Sequence, residues 1–338
     1  MTKLLVLGGT VFLGRHVVTA ALARGWTVTT FSRGVSNPAE VAGVEALHGD
    51  RDGDLSALAG RRFDVVVDTS AYRAQHVERV ATLLSAVVRY LLVSSVSVYA
   101  DFGAGDNDEE SATWPPLTAA DAPLGAATYG PLKVACEREA ERQFGERATI
   151  VRPGLLFGPL DATNRFGYWL ERISEGGETL APGDEGRTIQ LLDARDLADW
   201  MVSLLAEDRA GTFNAAGPHD PLTFGALLRC CVNASGSGAR LTWVPDDFLL
   251  GAGVAPFEHL PLWLPAGAGG VLQVNIARAI EAGLRYRPLA STVADAYAAG
   301  PISDRPLAGG VPKPQPMSRA RERELLALWH AASCMEVR

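Results

Sequence analysis

The chain has 338 residues, 47% hydrophobic and 21% charged, enough for one large domain or two closely joined ones around a sizeable core. Its formal net charge of −8 opposes non-specific attraction to nucleic acid or anionic lipid. No apolar run reaches the ~18 residues of a membrane span. The start at Leu4-Leu5-Val6-Leu7 lacks a basic leader, and Cys136, Cys230, Cys231 and Cys334 show neither zinc spacing nor a disulfide framework. The expectation is a reduced, cytoplasmic protein with no metal site.

The first element is a short apolar strand, Lys3 to Leu7. It runs into Gly8-Gly9-Thr10-Val11-Phe12-Leu13-Gly14 and then a helical pattern to Gly25, with Val17, Val18, Ala21 and Leu22 at helical spacing. In the order strand, glycine turn, helix, the backbone can approach a pyrophosphate closely and the helix N–H groups face it. The bland alternative is a tight strand–helix turn without a ligand; the flanking elements favour the nucleotide. A second strand, Thr27 to Phe31, ends at Ser32-Arg33-Gly34. An acid about 20 residues past the glycines would hold a ribose 2′-hydroxyl, whereas arginine there suits a 2′-phosphate. The slot holds Ser32 and Arg33 and no acid, which favours the phosphate over a plain surface arginine.

Val44 to Leu47 reads as a third strand leading to His48-Gly49-Asp50-Arg51, and Phe63 to Val67 as a fourth ending at Asp68-Thr69-Ser70. Apolar β-branched runs alternating with helices mean strands buried on both faces, hence a parallel sheet. His76 to Arg89 is expected to be helical. Tyr90 to Val93 is a fifth strand, ending in Ser94-Ser95-Val96-Ser97-Val98-Tyr99. Ligands of open α/β sheets sit at the carboxyl ends of the strands, so this cluster is placed to meet substrate; simple strand termination is the alternative.

Residues 100–127 form a long loop of the functional or mobile kind, and its acidic run from Asp106 to Glu110 reads as a solvated face. Thr128 is the expected N-cap of a helix carrying Tyr129 and Lys133, with Pro131 in its first turn. Residues four apart share a helix face. A phenol titrates near pH ~10, and a neighbouring cation favours its ionised form, so the pair is a candidate proton donor near neutrality. A sixth strand spans Thr149 to Leu156, followed by Phe157-Gly158-Pro159. Beyond lie Asn164, Arg165, Tyr168 and Trp169, then Trp243, Phe248, Phe257 and Trp263 among prolines and glycines. Such a segment is a substrate-pocket wall or, more commonly, a small core. From Pro312 the chain is proline-rich. A helix from Arg319 to Trp329, with Leu325, Leu326 and Trp329 on one side, is expected to pack on the body, with partner binding as the alternative.

With these residues in place, the chain resembles the extended short-chain dehydrogenase/reductase family, often labelled NAD-dependent epimerase/dehydratase. Gly8, Gly9 and Gly14 match the family's phosphate loop. Ser95, four before Tyr99, matches its catalytic Ser/Thr, and Tyr129 and Lys133 match its Tyr-x-x-x-Lys pair. Asp50-Arg51 falls where the family contacts adenine; Arg152-Pro153-Gly154 and Phe157-Gly158-Pro159 fall in its strand bordering the substrate. The resemblance implies an α/β, Rossmann-type doubly wound parallel sheet over residues 1–159. It implies a smaller C-terminal substrate-binding lobe over 160–338, with segments near 187–215 returning to the first domain. The candidate catalytic residues are Ser95, Tyr129 and Lys133. The candidate cofactor-binding residues are Gly8, Gly9, Thr10, Phe12, Leu13, Gly14, Ser32, Arg33, Asp50, Arg51, Asp68, Thr69 and Ser70, with Tyr129 and Lys133. Three positions depart from the family. Val11 replaces the middle glycine, Ser95-Val96-Ser97 replaces the Thr-Asp-Glu of the 4,6-dehydratases, and Leu155 replaces an asparagine that holds the diphosphate in many sugar-nucleotide epimerases.

The function this implies is NADP(H)-dependent reduction or dehydrogenation of a small-molecule carbonyl or alcohol, with NAD(H) as the second choice of cofactor. A sugar epimerase is the alternative within the class. A sub-group with the similar Gly-Gly-Thr-x-Phe loop includes chloroplast stem-loop RNA-binding proteins, so an RNA- or partner-binding protein on the same scaffold is the alternative outside it. The complete Ser–Tyr–Lys set and the acidic charge weigh against nucleic acid. The resemblance also implies a homodimer through the helices His76–Arg89 and Tyr129–Phe144, with Leu132, Ala135, Cys136, Ala140 and Phe144 at the contact.

Overall fold

Leu4 and Val6 of the first strand, β1 (Lys3–Leu7), point into one buried cluster and Leu5 and Leu7 into another. Alternation of this kind marks a strand covered on both faces. The computed structural model describes residues 1–35, 41–103, 105–300 and 314–336. After β1 come α1 (Phe12–Ala23), β2 (Thr27–Ser32), β3 (Val44–His48), β4 (Val65–Asp68), α2 (Ala74–Leu83), β5 (Arg89–Val93), α3 (Ala126–Phe144) and β6 (Ala148–Pro153). The next are β7 (Leu155–Phe157), α4 (Arg165–Ser174), β8 (Glu178–Pro182), β9 (Thr188–Ile189), β10 (Leu191–Asp193), α5 (Ala194–Ala206) and β11 (Gly211–Ala215). The remainder is β12 (Leu222–Thr223), α6 (Phe224–Ser235), β13 (Arg240–Val244), α7 (Asp246–Gly251), α8 (Ala277–Glu281), α9 (Leu289–Ala299) and α10 (Arg319–Glu336).

The main sheet has seven parallel strands in the order β11-β6-β5-β4-β1-β2-β3. Helices α1 and α5 pack together on one face, with Val17, Val18, Leu197 and Met201 in the core there. Helices α2 and α3 cover the other, where Val77, Val80, Cys136, Ala140 and Phe144 meet Leu5, Leu7, Tyr90 and Leu92. The strand order reverses between β1 and β4. Their carboxyl ends therefore flank the crevice where open α/β sheets bind ligands. A separate core, with Phe157, Trp169, Leu180, Phe224, Leu228, Trp263 and Leu325, is built around the small pairs β8–β13 and β9–β12.

Several elements differ from the sequence reading. The sixth strand is two: β6 stays in the main sheet, while β7 pairs with β10, because Pro153-Gly154 interrupts the ladder and the Gly154 N–H bonds to Ala215 O. Helix α2 starts at Ala74 and stops at Leu83, short of Val87-Val88, since the chain must extend there to enter β5. Helix α3 begins at Ala126, so Thr128 is not its N-cap; Gly125 is, and the Thr128 hydroxyl accepts from the Gly125 N–H at 3.0 Å. Pro131 consequently falls in the second turn. The acidic run is not wholly solvated. Glu109 is 8% exposed and accepts from the Asn214 N–H at 2.7 Å, held down by a buried group in which Arg152 bonds Glu137, Tyr99 and the Glu109 carbonyl. Trp263 is core, Trp243 and Phe248 pack against that core, and the Phe248 ring meets Trp329 of α10. That helix packs on the body through Leu325 and Leu326, and it is longer than expected. Pro312 lies outside the described residues.

Candidate active site

The glycine turn is closed on itself. A Cβ on Gly14 would stand 2.2 Å from the Gly8 carbonyl oxygen, and one on Gly8, whose φ is +88°, would stand 2.6 Å from Thr69 Oγ1. The Thr69 hydroxyl donates to Leu7 O at 3.0 Å, so the turns after β1 and β4 form one surface at the sheet's reversal point. Val11 keeps an extended backbone as N-cap of α1, and the next residue, Phe12, takes φ +39° instead. A non-glycine residue there is strained, as residues at ligand-holding turns often are. The N-cap residue Val11 offers no side-chain acceptor to the first N–H groups of α1, an end of the kind that suits an anion. Leu13 is buried in the core beneath. A backbone cradle from which side chains are excluded fits a diphosphate. On α1, His16 Nε2 lies 2.9 Å from Pro159 O, and burial lowers the His16 pKa, so the ring is a neutral donor tying this helix to the loop after β7.

The adenosine side of such a ligand would meet the ends of β2, β3 and β4. Ser32 is half-buried and Arg33 exposed. Asp50 is exposed, with one carboxylate oxygen accepting from the Asp52 N–H. Arg51 turns inward. Its guanidinium grips both oxygens of Asp68 and also donates to Ser70 Oγ and His76 O. Asp68 is fully buried and takes a further bond from Tyr90 OH at 2.6 Å, so its carboxylate does not face a ligand. The pair fixes the turn after β3 against the turn after β4.

Lys133 is 2% exposed, and its ammonium donates to Val93 O, the last carbonyl of β5, at 2.6 Å and to Ala71 O, in the turn after β4, at 2.8 Å. Both anchors adjoin the site: Ala71 follows Thr69-Ser70, and Val93 precedes Ser94-Ser95. The short helical turn at Val96–Val98 presses on α3. Gly130 permits this, since a Cβ there would stand 2.1 Å from Ser97 O. Ser95 Oγ accepts from the Ser97 N–H at 3.1 Å and pairs with Ser97 Oγ at 3.1 Å. One docking event thus gathers Ser95, Tyr129 and Lys133 at the carboxyl ends of the central strands.

One neighbour was missed in the sequence. The Tyr72 ring lies 6.5 Å from the Tyr129 ring, with the Lys133 ammonium 5.8 Å from its centre. Burial raises its pKa, so it stays a neutral phenol. Its position just past Thr69-Ser70 was the available signal. Arg165, the first residue of α4, lies over the Phe257 ring at 5.2 Å, and its Nε has no hydrogen-bond partner. Burial lowers its pKa, with the Asp161 and Tyr129 groups acting in the other direction. The sequence puts Arg165 in a segment that is a pocket wall or a small core, without naming the ring it meets. A cavity of about 530 Å³ lined by Gly183, Asp184, Trp243 and Asp246 shares no residue with this set. Its Arg187 and Asp246 are already paired with each other. Among the described residues no His/Cys/Asp/Glu cluster could hold a metal ion, and no helix is long and apolar enough to cross a membrane.

The reversed parallel sheet, the closed glycine turn and the Tyr-x-x-x-Lys helix define a Rossmann-type protein of the extended short-chain dehydrogenase/reductase class. The chain belongs to the NAD dependent epimerase/dehydratase family, whose model matches residues 4–216. It is 28% identical over 252 residues to the chloroplast stem-loop binding protein of 41 kDa b of Arabidopsis thaliana, a match covering 69% of this chain and 63% of that protein. It is 29% identical over 257 residues to the 2'-dehydrokanamycin reductase of Streptomyces kanamyceticus, covering 73% of this chain and 70% of that one. The fold is similar to UDP-Glucuronic acid 4-epimerase from Bacillus cereus, solved in complex with NAD, with a TM-score of 0.62 and 18% identity, covering 88% of this chain and 98% of that one.

Proposed function

We propose that the protein is an NADP(H)-dependent reductase or dehydrogenase of a small-molecule carbonyl or alcohol. The observation that supports this reading is the docking of α3, in which Lys133 bonds Ala71 O and Val93 O and Gly130 meets Ser97, while Thr69 and Ser70, just before Ala71, pack against Gly8. The cradle fits a dinucleotide, and a nicotinamide cofactor, when bound, supplies or accepts the hydride. The chain's own residues handle the oxygen. Tyr129 gives it a proton, Ser95 Oγ donates a hydrogen bond to it, and Lys133 holds a positive charge close by. No carboxylate accompanies Ser95, which disfavours dehydration. The reductase from Streptomyces supports reduction as the direction, and the absence of an acid at Ser32-Arg33 supports the phosphorylated cofactor.

Calorimetric titration with NADPH and NADH, followed by assays against a panel of keto-sugars and aminoglycoside ketones, tests the proposal. A reductase consumes reduced cofactor in step with product. Conversion without net consumption would indicate the epimerase reading. Failure to bind either cofactor, together with a shift of structured RNA on a gel, would move the protein to the binding class.

A further inference from the structure

Strands β2 and β3 end side by side, with Ser32 in register with His48 and the Gly49 N–H donating to Ser32 O at 3.1 Å. The chain then turns at Gly34, whose φ is +72°. A Cβ on Gly34 would stand 2.8 Å from His48 Nδ1 and 3.1 Å from its Cε1, so the imidazole lies directly against this turn. The Ser32 hydroxyl accepts from the Gly34 N–H at 3.3 Å, which leaves its own hydrogen to donate elsewhere. Arg33 and His48 are both exposed. The carboxylate of β3, Glu45, is occupied by Arg61 at 2.7 Å and Thr29 at 3.2 Å. The joint end of the two strands therefore presents a guanidinium, a hydroxyl and an imidazole, and no acid at residues 31–34 or 47–49.

We propose that His48 is a specificity-determining contact for the 2′-phosphate of the adenosine ribose, acting with Arg33 and Ser32. The inference rests on the NADP(H) reading above and adds a residue to it. A phosphate offers three acceptor oxygens, more than one guanidinium fork can fill, and an imidazole N–H from the neighbouring strand supplies a donor from a second direction. A ribose 2′-hydroxyl on the same surface would gain little from it. His48 should thus affect only ligands that carry the phosphate.

The test is calorimetry on the purified full chain with 2′,5′-ADP, 5′-ADP, NADPH and NADH, comparing wild type, His48→Leu and His48→Lys. Loss of one donor hydrogen bond corresponds to about three- to ten-fold in affinity. His48→Leu should weaken 2′,5′-ADP and NADPH by that factor and leave 5′-ADP and NADH unchanged, while His48→Lys keeps the preference. An equal loss for all four ligands would make His48 a packing residue and overturn the proposal, as would no loss at all. If wild type fails to prefer NADPH over NADH, the NADP(H) reading falls and His48 with it. If wild type prefers NADPH and His48→Leu does not alter that preference, only the His48 inference falls.

Discussion

A methyl group on Gly130 would stand 2.1 Å from the carbonyl oxygen of Ser97. The helix carrying Tyr129 and the turn carrying Ser95 are therefore in backbone contact, and this contact fixes the relative position of the two proposed reacting groups. Because the obstructing atom is backbone, Gly130→Ala must push the two elements apart. Overpacking of this kind costs about 1–3 kcal/mol, and misplacing a catalytic group by ~1 Å can cost roughly 10²-fold in rate. Urea unfolding and turnover should both register the change, with cofactor affinity nearly intact. Full turnover in the variant would show that Ser95 needs no such positioning.

Tyr129→Phe keeps the ring beside Tyr72 and removes only the hydroxyl. Loss of a positioned acid–base group costs roughly 10²–10⁴-fold. Turnover of a verified substrate should fall by that factor, while calorimetric cofactor binding stays the same. Near wild-type turnover would remove Tyr129 as the proton donor.

Besides the chemical role proposed for it, Lys133 has a structural one. Its ammonium satisfies two buried carbonyls, Ala71 O and Val93 O. Lys133→Met leaves both without this donor, at about 1–3 kcal/mol for each buried acceptor left unmade. The apo-protein should accordingly unfold at lower urea concentration, before any question of catalysis arises. A stability change within ~0.5 kcal/mol, the range of ordinary surface substitutions, would mean that the lysine is held only by ligands.

The order of the first strands was legible because each is a short apolar run whose period and flanking glycines are local. The Tyr-x-x-x-Lys pair and Ser95 were legible for the same reason, since their spacing lies within one helix or one turn. What the sequence did not show depends on partners far along the chain. Glu109 reads as one more acid in a solvated run until Asn214, 105 residues later, offers its N–H. Leu155 to Phe157 reads as a continuation of β6 until β10 draws it out of the sheet. Arg165 and Phe257 read only as members of one pocket wall or small core until the fold sets the guanidinium over the ring. Local period reports which face of an element is buried, not what it is buried against.

The apolar residues first read as dimer contacts, Leu132, Ala135, Cys136, Ala140 and Phe144, are at most 3% exposed within the protomer. The outer faces of α2 and α3 instead carry Glu78, Arg138, Glu141 and Arg142, whose side chains are 47–66% exposed. A homodimer through these helices, which we propose, would join charged surfaces. Exposed charges are screened over ~10 Å at 0.1 M salt, so the dimer should weaken as salt rises. Light scattering at low and high salt checks this. A monomer at micromolar concentration in low salt would end the proposal, and a salt-insensitive dimer would place the interface elsewhere.

The buried pair Arg51–Asp68 gives the fold an acid-sensitive link between the turns after β3 and β4. Burial alone would push the Asp68 carboxyl up. The Arg51 charge, with hydrogen bonds from Arg51, Tyr90 and the Ser70 N–H, outweighs it and holds the carboxyl below its ordinary range. A carboxyl whose folded pKa lies below its unfolded value of ~3.9 stabilises the protein above that value. The contribution is lost as pH falls further, through the folded pKa. Asp68→Asn removes the charge and leaves Arg51 buried without its counter-ion, a change that costs about 3–5 kcal/mol when one partner of a buried pair is lost. Urea unfolding near neutral pH should show that loss, and the gap between wild type and variant should narrow below about pH 4, where wild type begins to lose the same interaction. Cofactor affinity should fall too, because Arg51 holds the backbone that carries Asp50. A gap of the same size at both pH values would mean that the Asp68 charge is not what stabilises this turn.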